Sequence, residues 1–347
     1  MKEKKLTTYD VLHVGDSFYY VCNEFNLLIK FTGKGEHKII GVIPEESLDA
    51  KALISQMMLI NERIILIPLN AKNIWIYQIN NQKWHCIRIE NESCEYKFMK
   101  AIQEANKLYF FPSRYKKMIV LDVLTDEVRY IEIADKSQGI CNSTFFRSDI
   151  VVKDKMVYAA YCGGDYIFEF NLLDETYEWK KVGTDVQGYC GIAWDSEKFW
   201  LLSKMNEKKV FTWDGKASVG TVEIATSDRG RNRGITVISG EIIVLRDNES
   251  ITMNLNANKD SCDRAPAYFF CKKNANTTSF LRYNSEYTWI QNDAEHRINL
   301  TLSDKMINNY FSGKMDIKES YFFSHNEVVT ENELFRISDF VKVLSSQ

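Results

Sequence analysis

The residues in this sequence best suited to chemistry are three arginines that lie close together in one glycine-rich stretch. Arg229, Arg231 and Arg233 fall within SDRGRNRG, between glycines that let the backbone turn sharply. A guanidinium group presents a planar fork of donors that binds carboxylate or phosphate groups through two hydrogen bonds. The stretch therefore predicts recognition of an anion. The competing interpretation is a solvated loop whose arginines pair with nearby acids such as Asp228.

Further candidates come from loops that we expect at the same end of a repeated fold as this stretch. The predicted ligand site, placed at the mouth of a central channel, comprises Arg114, Arg147, Cys190, Arg229, Arg231, Arg233, Arg246 and His296. Neighbouring positions of the same loops add Lys100, Tyr115, Lys116, Cys162, Tyr189 and Lys204. If these loops converge, the mouth is basic on a protein of net charge −3, which favours anionic ligands.

Cys190 is the one candidate nucleophile in this set. It stands in GYCGIAW between glycines, where an accessible thiol would be reactive. The alternative is a small buried residue that begins an inner strand. The sequence contains no G-x-S-x-G elbow, no phosphate-binding P-loop and no dinucleotide-binding fingerprint, so we assign no catalytic residue.

Metal and cofactor sites are not predicted. The five histidines are scattered, and none of the eight cysteines is spaced as C-x-x-C. The histidines are His13, His37, His85, His296 and His325. A metal site that combines His296 with acids from separate repeats is the alternative.

The elements that must position these residues are revealed by a repeat. A short apolar pulse follows a polar turn seven times, with first apolar residues at Phe18, Ile64, Leu108, Met156, Phe199, Ile242 and Tyr287. The intervals are 46, 44, 48, 43, 43 and 45 residues. A period of this length is typical of repeated β units.

Each repeat contains about four strand-like runs, which predicts an all-β fold of propeller type. One run precedes the pulse, as in ISQMMLI, and two follow it, as in IWIYQI and WHCIRIE. Stacking four-stranded units around an axis covers both faces of each sheet, which explains why many runs are apolar at consecutive positions. An open β-solenoid or a pair of sandwiches is the alternative architecture.

We predict a single β-propeller domain over residues 1–347 with seven four-stranded blades. The repeats begin near residues 7, 52, 96, 143, 188, 232 and 278. The last unit is irregular, with aromatic runs NNYFSG and ESYFFS, so six blades with an extension is the alternative. Apolar spacing in TENELFRISDFVKVL predicts a C-terminal helix over 330–345, packed on the propeller.

Composition suggests the compartment and excludes some partners. Lysines near the start are not followed by an apolar run, and no stretch is long and apolar enough for a membrane helix. We therefore expect a cytoplasmic protein with reduced thiols, and neither nucleic acid nor membrane as a partner.

In its repeats the chain resembles the broad superfamily of kelch, WD-repeat and lactonase-like propellers. The kelch double glycine occurs once, at Gly163–Gly164, and no repeat ends in the Trp-Asp pair, so the resemblance is architectural and carries over no site residues. By analogy with the fold, we expect a non-catalytic scaffold that recognises a protein or peptide partner through one face. The alternative is a lyase, hydrolase or biosynthetic tailoring enzyme acting on a small anionic substrate at the basic mouth.

Overall fold

The computed structural model describes most of the chain, in segments. The described residues are 3–32, 36–46, 52–90, 94–137, 144–147, 150–183, 188–205, 208–216, 219–224, 231–238, 240–246, 250–254, 260–263, 268–274, 277–282, 286–291 and 294–312. Contacts divide the chain into two compact units. Unit 1 contains described residues of Met1–Ile89, Asn284–Tyr287 and Ile298–Gln347, and unit 2 contains those of Glu90–Tyr283 and Thr288–Arg297.

Within these ranges the strands form seven four-stranded sheets, and in each sheet the strands are adjacent in the order in which they occur in the chain. Runs rich in β-branched and aromatic residues form the strands, as expected for residues that suit a pleated surface. We number the sheets 1 to 7 in chain order.

Unit 1 contains two of these sheets, a two-stranded sheet and the one helix among the described residues. Sheet 1 is β2 (Val11–Val14), β3 (Ser17–Cys22), β4 (Leu27–Thr32) and β5 (His37–Val42). Sheet 2 is β6 (Ile54–Ile60), β7 (Arg63–Pro68), β8 (Ile74–Gln78) and β9 (Lys83–Ile87). The two-stranded sheet pairs β1 (Glu3–Lys5) with β30 (Thr301–Ser303), and helix α1 (Asp304–Ser312) follows directly.

Unit 2 contains sheets 3 to 6. Sheet 3 is β10 (Phe98–Glu104), β11 (Lys107–Pro112), β12 (Lys117–Asp122) and β13 (Val128–Glu132). Sheet 4 is β14 (Val151–Lys153), β15 (Met156–Ala160), β16 (Tyr166–Asn171) and β17 (Tyr177–Lys181). Sheet 5 is β18 (Tyr189–Trp194), β19 (Phe199–Ser203), β20 (Lys209–Trp213) and β21 (Val219–Glu223). Sheet 6 is β22 (Asn232–Ile238), β23 (Glu241–Arg246), β24 (Ser250–Asn254) and β25 (Asp260–Asp263).

Sheet 7 is where the observed strands differ from the predicted ones. It is β26 (Tyr268–Asn274), β27 (Thr277–Arg282), β28 (Glu286–Gln291) and β29 (Ala294–Asn299). The run SFLRY was expected as a first strand near residue 278, but it contributes to the second strand, β27. The reason is that sheet 6 and its connection to β26 are shorter than the regular period. In sheets 1 to 6 the apolar pulses coincide with the second strands.

The predicted all-β fold is confirmed at the level of its sheets. The single domain and the number of blades stay predictions. The helix predicted over 330–345 lies outside the described residues. The described helix α1 instead includes most of NNYFSG, which the sequence analysis treated as an irregular aromatic run.

The core of unit 2 lies between neighbouring sheets. Sheet 4 shows the pattern, because successive residues of β15 point to opposite faces. Val157 and Ala159 pack in a cluster with Tyr109 and Phe111 of sheet 3. Ala160 packs in another cluster, with residues of sheet 5. Both faces of sheet 4 are therefore covered, which accounts for the nearly continuous apolar runs in its sequence.

A polar bridge also joins sheets 3 and 4. The Glu175 carboxylate, in the turn between β16 and β17, accepts hydrogen bonds from Lys107 Nζ (2.8 Å) and from the Tyr109 hydroxyl (3.0 Å). It also pairs with Arg129. Partial burial alone would raise the pKa of Glu175, but these donors outweigh it, and the pKa is lowered.

In unit 1, segments distant in sequence are joined through backbone groups. The N–H of Leu6 donates to the carbonyl of Leu300 (2.9 Å), which extends the pairing of β1 with β30. The Tyr310 hydroxyl of α1 accepts a hydrogen bond from the N–H of Val42 at the end of β5 (3.0 Å). Helix α1 therefore packs on sheet 1.

Among the residues that the structure describes, no helix has the length and apolar character needed to cross a membrane.

Candidate anion-binding site

A β-bulge recurs at the same place in the first strand of sheets 2, 3, 5 and 6. The register of β18 shifts at Cys190 and that of β22 at Arg233, so the Cα pairing of each ladder skips that residue. The same shift occurs at Ser55 in β6 and at Met99 in β10. Bulges of this kind change the direction of a side chain and are common beside functional sites. We call this place in each repeat the bulge position.

Arg147 occupies the corresponding place in sheet 4. The N–H of Lys204, after the second strand of sheet 5, donates to the carbonyl two residues before Cys190 (2.7 Å). In sheet 4, the N–H of Cys162 donates in the same way to the carbonyl two residues before Arg147 (2.8 Å). Judged by this hydrogen bond, Arg147, which precedes β14, corresponds in place to Cys190 in β18, and Arg233 takes the bulge position in β22.

A glycine follows the bulge position in both β18 and β22. A Cβ atom placed on Gly191 would stand 3.0 Å from Ile235 Cγ2 and 3.3 Å from Leu202 Cβ. Gly234 takes the same place in β22. Because Gly191 carries no side chain, β18 and β22 approach each other closely at this point.

The side chain of Cys190 is enclosed by backbone carbonyls. Its thiol donates to the carbonyl of Leu202 (3.5 Å) and lies 3.9 Å from the carbonyl oxygen of Asn232. The residue is only 6% exposed. Burial raises the pKa of the thiol to about 12, so it is protonated at neutral pH.

Three cationic side chains act on this sulphur from different elements. Arg147, Lys204 and Arg233 each oppose the rise in the pKa of Cys190 through their charge, without overcoming the effect of burial. Charges act in this way only over short distances. We therefore refer to Arg147, Lys204 and Arg233 as the cation cluster.

The cation cluster is open to solvent and its backbone is firmly held. Arg147 and Arg233 are exposed, and Lys204 is half-buried. The Asn232 side-chain amide donates to the carbonyl of Ser203 (2.8 Å), which links β22 to the residue before Lys204. In the described parts of the chain, neither Arg147 nor Lys204 forms an ion pair with an acid.

An exposed apolar side chain adjoins the cluster. Met205 follows Lys204 and is 62% exposed, and its N–H donates to the Ser203 hydroxyl (3.1 Å). Residue-type patterns did not single out Met205, because one methionine in a polar connection carries no periodic signal.

Among the other predicted site residues, Arg114 and Arg231 are exposed but are not among the groups found to act on Cys190. Arg114 lies between β11 and β12, and its guanidinium carbon is 5.1 Å from the centre of the Tyr96 ring. This cation–π contact gives Arg114 a partner in the segment just before β10, the first strand of the same sheet. Arg231 stands directly before β22.

Arg246, expected in a loop, is the last residue of β23 and is fully buried. Arg233, also expected in a loop, lies inside β22. Arg229 lies outside the described residues. His296 lies in β29, and its side chain is outside the described part of the structure. In the described residues, no group of three or more histidine, cysteine or acidic side chains is arranged to hold a metal ion.

Comparison with solved structures identifies the architecture. Virginiamycin B lyase from Staphylococcus aureus matches with a TM-score of 0.62 at 13% identity, over 82% of this chain and 96% of that chain. A streptogramin B lyase matches with a TM-score of 0.59 at 12% identity, over 84% and 97%. BamB from Moraxella catarrhalis matches with a TM-score of 0.54 at 12% identity, over 81% and 95%. This chain has a β-propeller fold.

The likeness stops at the fold. No protein-family model and no curated protein sequence matches the chain. Two of the similar structures are lyases and the third is BamB, so proteins of different kinds share this architecture. Its function must therefore be argued from its own residues.

Proposed function

We propose that this protein is a non-catalytic binding propeller that recognises an acidic group on a protein or peptide partner. The observation that supports this function most directly is the cation cluster. Arg147 precedes β14, Lys204 follows β19 and Arg233 lies in β22, and the charge of each of them lowers the pKa of the Cys190 thiol.

Electrostatics favours an anion at this place. Like charges that lie close together repel one another, and Arg147 and Lys204 have no acid partner among the described residues. A bound carboxylate or phosphate offsets this repulsion and accepts charge-assisted hydrogen bonds from the guanidinium forks.

The chemistry of Cys190 supports binding rather than nucleophilic attack. A thiol must ionise before it becomes a good nucleophile. Burial raises the pKa of Cys190 to about 12, so the thiolate is scarce at neutral pH. The residue instead presents a small, uncharged surface beside three cations.

The exposed side chain of Met205 favours a peptide over a free anion. An apolar group beside a charged cluster can contact a neighbouring apolar residue of the same ligand, and methionine is common at adaptable binding surfaces. A small anionic substrate, clamped by the same cations in an enzyme, is the second candidate.

The test measures binding of fluorescein-labelled peptides with a central glutamate or phosphoserine between randomised positions. Wild type is expected to raise the anisotropy of this pool in a saturable way. The double variant Arg147→Gln/Arg233→Gln should bind at least about tenfold more weakly, since each charge-assisted hydrogen bond contributes roughly 1.5–3 kcal/mol. Arg88→Gln, a change of the same type at another exposed arginine, serves as the control.

Equal binding by wild type and the double variant would refute the proposal, provided that their melting temperatures agree. Displacement of the peptides by small carboxylates, accompanied by chemical conversion of those carboxylates, would instead support the enzyme.

A further inference from the structure

Three apolar side chains are exposed at one end of sheets 3 and 4, where the first strand turns into the second and the third into the fourth. Leu124 is 63% exposed, Val152 51% and Leu173 76%. Half of the exposed large apolar side chains among the described residues therefore lie at this one place. We call it the turn face, and it comprises segments 104–107, 122–129, 152–155 and 171–176.

Printed hydrogen bonds and ion pairs join these four segments into one surface. Within sheet 3 the N–H of Val123 donates to the carbonyl of Asn106 (2.8 Å). Within sheet 4 the N–H of Leu172 donates to the carbonyl of Lys155 (2.9 Å). Between the two sheets, Lys155 Nζ lies 2.7 Å from Glu104 Oε1, and the polar bridge described above adds a second link.

The fold does not require leucine at the tips of these turns. The N–H of Leu124 donates to Asp122 Oδ1 (2.8 Å), and that of Leu173 donates to Asn171 Oδ1 (2.9 Å), so the two turns hold their leucines in the same way. In sheet 2 the corresponding residue is Asn80, which is also exposed. Grouped apolar side chains that face solvent are typical of interaction sites, and turns that are already ordered lower the entropic cost of binding.

The turn face is acidic, and its cations already have partners. Its four segments contain seven acidic and four basic residues. Lys107, Arg129 and Lys155 form ion pairs with glutamates of the same surface. The fourth cation, Lys153, lies 4.0 Å from the centre of the Trp194 ring.

Several carboxylates of the turn face have no such partner. Glu127, Asp154 and Asp174 are exposed, and none of them forms an ion pair with a cation in the part of the chain that the structure describes. Lysine or arginine side chains of another molecule would complement them.

From these apolar and acidic groups together, we infer that the turn face docks a segment of a partner protein in which lysine or arginine side chains alternate with apolar ones. The surface shares no residue with the cation cluster, so this inference does not rest on the proposed function. The chain's own segment 330–345 carries three acidic and two basic residues, so charge does not favour it as the occupant.

The experiment measures the fluorescence anisotropy of four labelled peptides with the full chain. They are GKLKKLKG, its acidic analogue GELEELEG, its serine analogue GKSKKSKG, and residues 330–345 of this chain. GKLKKLKG is expected to bind at least about tenfold more tightly than the other three, since burial of one leucine side chain alone can account for about tenfold. Its affinity should fall severalfold between about 50 mM and about 500 mM NaCl, because salt screens exposed charges.

Variants of the two leucines test the apolar part of the surface. Leu124→Ser/Leu173→Ser should weaken binding of GKLKKLKG at least about tenfold, because the apolar contact is lost. Leu124→Met/Leu173→Met should stay within about threefold of wild type, since methionine preserves the apolar contact.

Variants of the carboxylates test the charge. Glu127→Gln/Asp154→Asn should weaken binding at least about threefold, because two exposed charges no longer attract the peptide. Glu95→Gln/Glu223→Gln is the matched control. It removes two exposed charges from the other end of sheets 3 and 5 and should leave the affinity unchanged.

Equal binding by wild type and by both the serine and the carboxylate variants would overturn the inference, as would equally tight binding of the acidic analogue. Equally tight binding of peptide 330–345 would assign the surface to the chain itself. A dimer in sedimentation velocity that Leu124→Ser/Leu173→Ser disperses would assign it to a second copy, and either result would overturn the assignment to a basic partner. If none of the peptides binds, the inference fails and the proposed function still stands, because that function concerns other residues.

Discussion

Removing the Glu175 carboxylate should destabilise unit 2 by an amount that depends on Tyr109. Lys107 and Arg129 are 45% and 51% exposed, so each of their ion pairs with Glu175 contributes about 0.2–1 kcal/mol. The Tyr109 side chain is 1% exposed, and leaving its hydroxyl without an acceptor costs about 1–3 kcal/mol. Glu175→Ala is therefore expected to lose about 1.4–5 kcal/mol in total.

The backbone does not complicate this comparison. Glu175 has a φ of +59°, a left-handed conformation that is strained for alanine and glutamate alike. The difference between the two residues therefore reports on the side chain. Glu178→Ala, at an exposed carboxylate of the next strand, is the matched control and should cost less than about 1 kcal/mol.

The assay is urea unfolding of a double-mutant cycle with Tyr109→Phe. In the Tyr109→Phe background no hydroxyl is left unsatisfied, so Glu175→Ala should then cost only about 1 kcal/mol from the exposed ion pairs. The same loss in both backgrounds would refute the reasoning, because it would show that the hydrogen bond between Tyr109 and Glu175 contributes nothing. The stability that Glu175 contributes should also fall on acidification. Because the pKa of its carboxyl group is lower in the folded state, this contribution is present above the unfolded-state pKa and is lost as the pH falls through the folded-state pKa.

Three further predictions concern single residues of unit 2. Burial raises the pKa of Glu169 from 4.5 to about 7, so its contribution to stability is present below about pH 4.5 and is lost as the pH rises through about 7. Glu169→Gln should therefore melt above wild type at pH 8 and with it near pH 4, and an unchanged difference across this range would contradict the assignment. Gly163→Ala should cost about 1–3 kcal/mol in urea unfolding, because the new Cβ would stand 2.6 Å from the buried Tyr161 ring, and an unaltered midpoint would show that the ring can move. Cys190 should react with iodoacetamide only as the protein unfolds, and rapid labelling of the native state, measured by mass spectrometry, would show that its thiol is accessible.

The strands could be predicted because their signal is strong and local. Pulses such as NERIILIP combine a polar turn with β-branched residues, and this pattern repeats at nearly constant intervals. Sheet 7 shows the limit of the method. Extending the regular period beyond β22 shifted the predicted strands of the last unit by one strand. The hydropathy pattern does not reveal that the repeat that forms sheet 6 is shorter than the others.

The candidate site could be predicted only in part. Residue type and position within the repeat brought Arg147, Cys190 and Arg233 into one set. The bulges at Cys190 and Arg233 are single-residue insertions in a ladder, and they leave no trace in the hydropathy pattern. The loop position predicted for Arg246 was wrong. This charged residue stands at the end of an apolar run and is the last residue of β23.

Pairing of β1 with β30 has a consequence for the order in which the protein folds. Glu3 and Ser303 are partners across this ladder, so it cannot form until nearly the whole described chain has left the ribosome. Closing so long a loop carries a large entropic cost that local contacts do not have to meet. Strand β1 must therefore wait for its partner β30 while the sheets of unit 2 are being synthesised. Substitutions in β1 or β30 should then lower the yield of folded protein during synthesis more than they weaken the interactions within the sheets of unit 2.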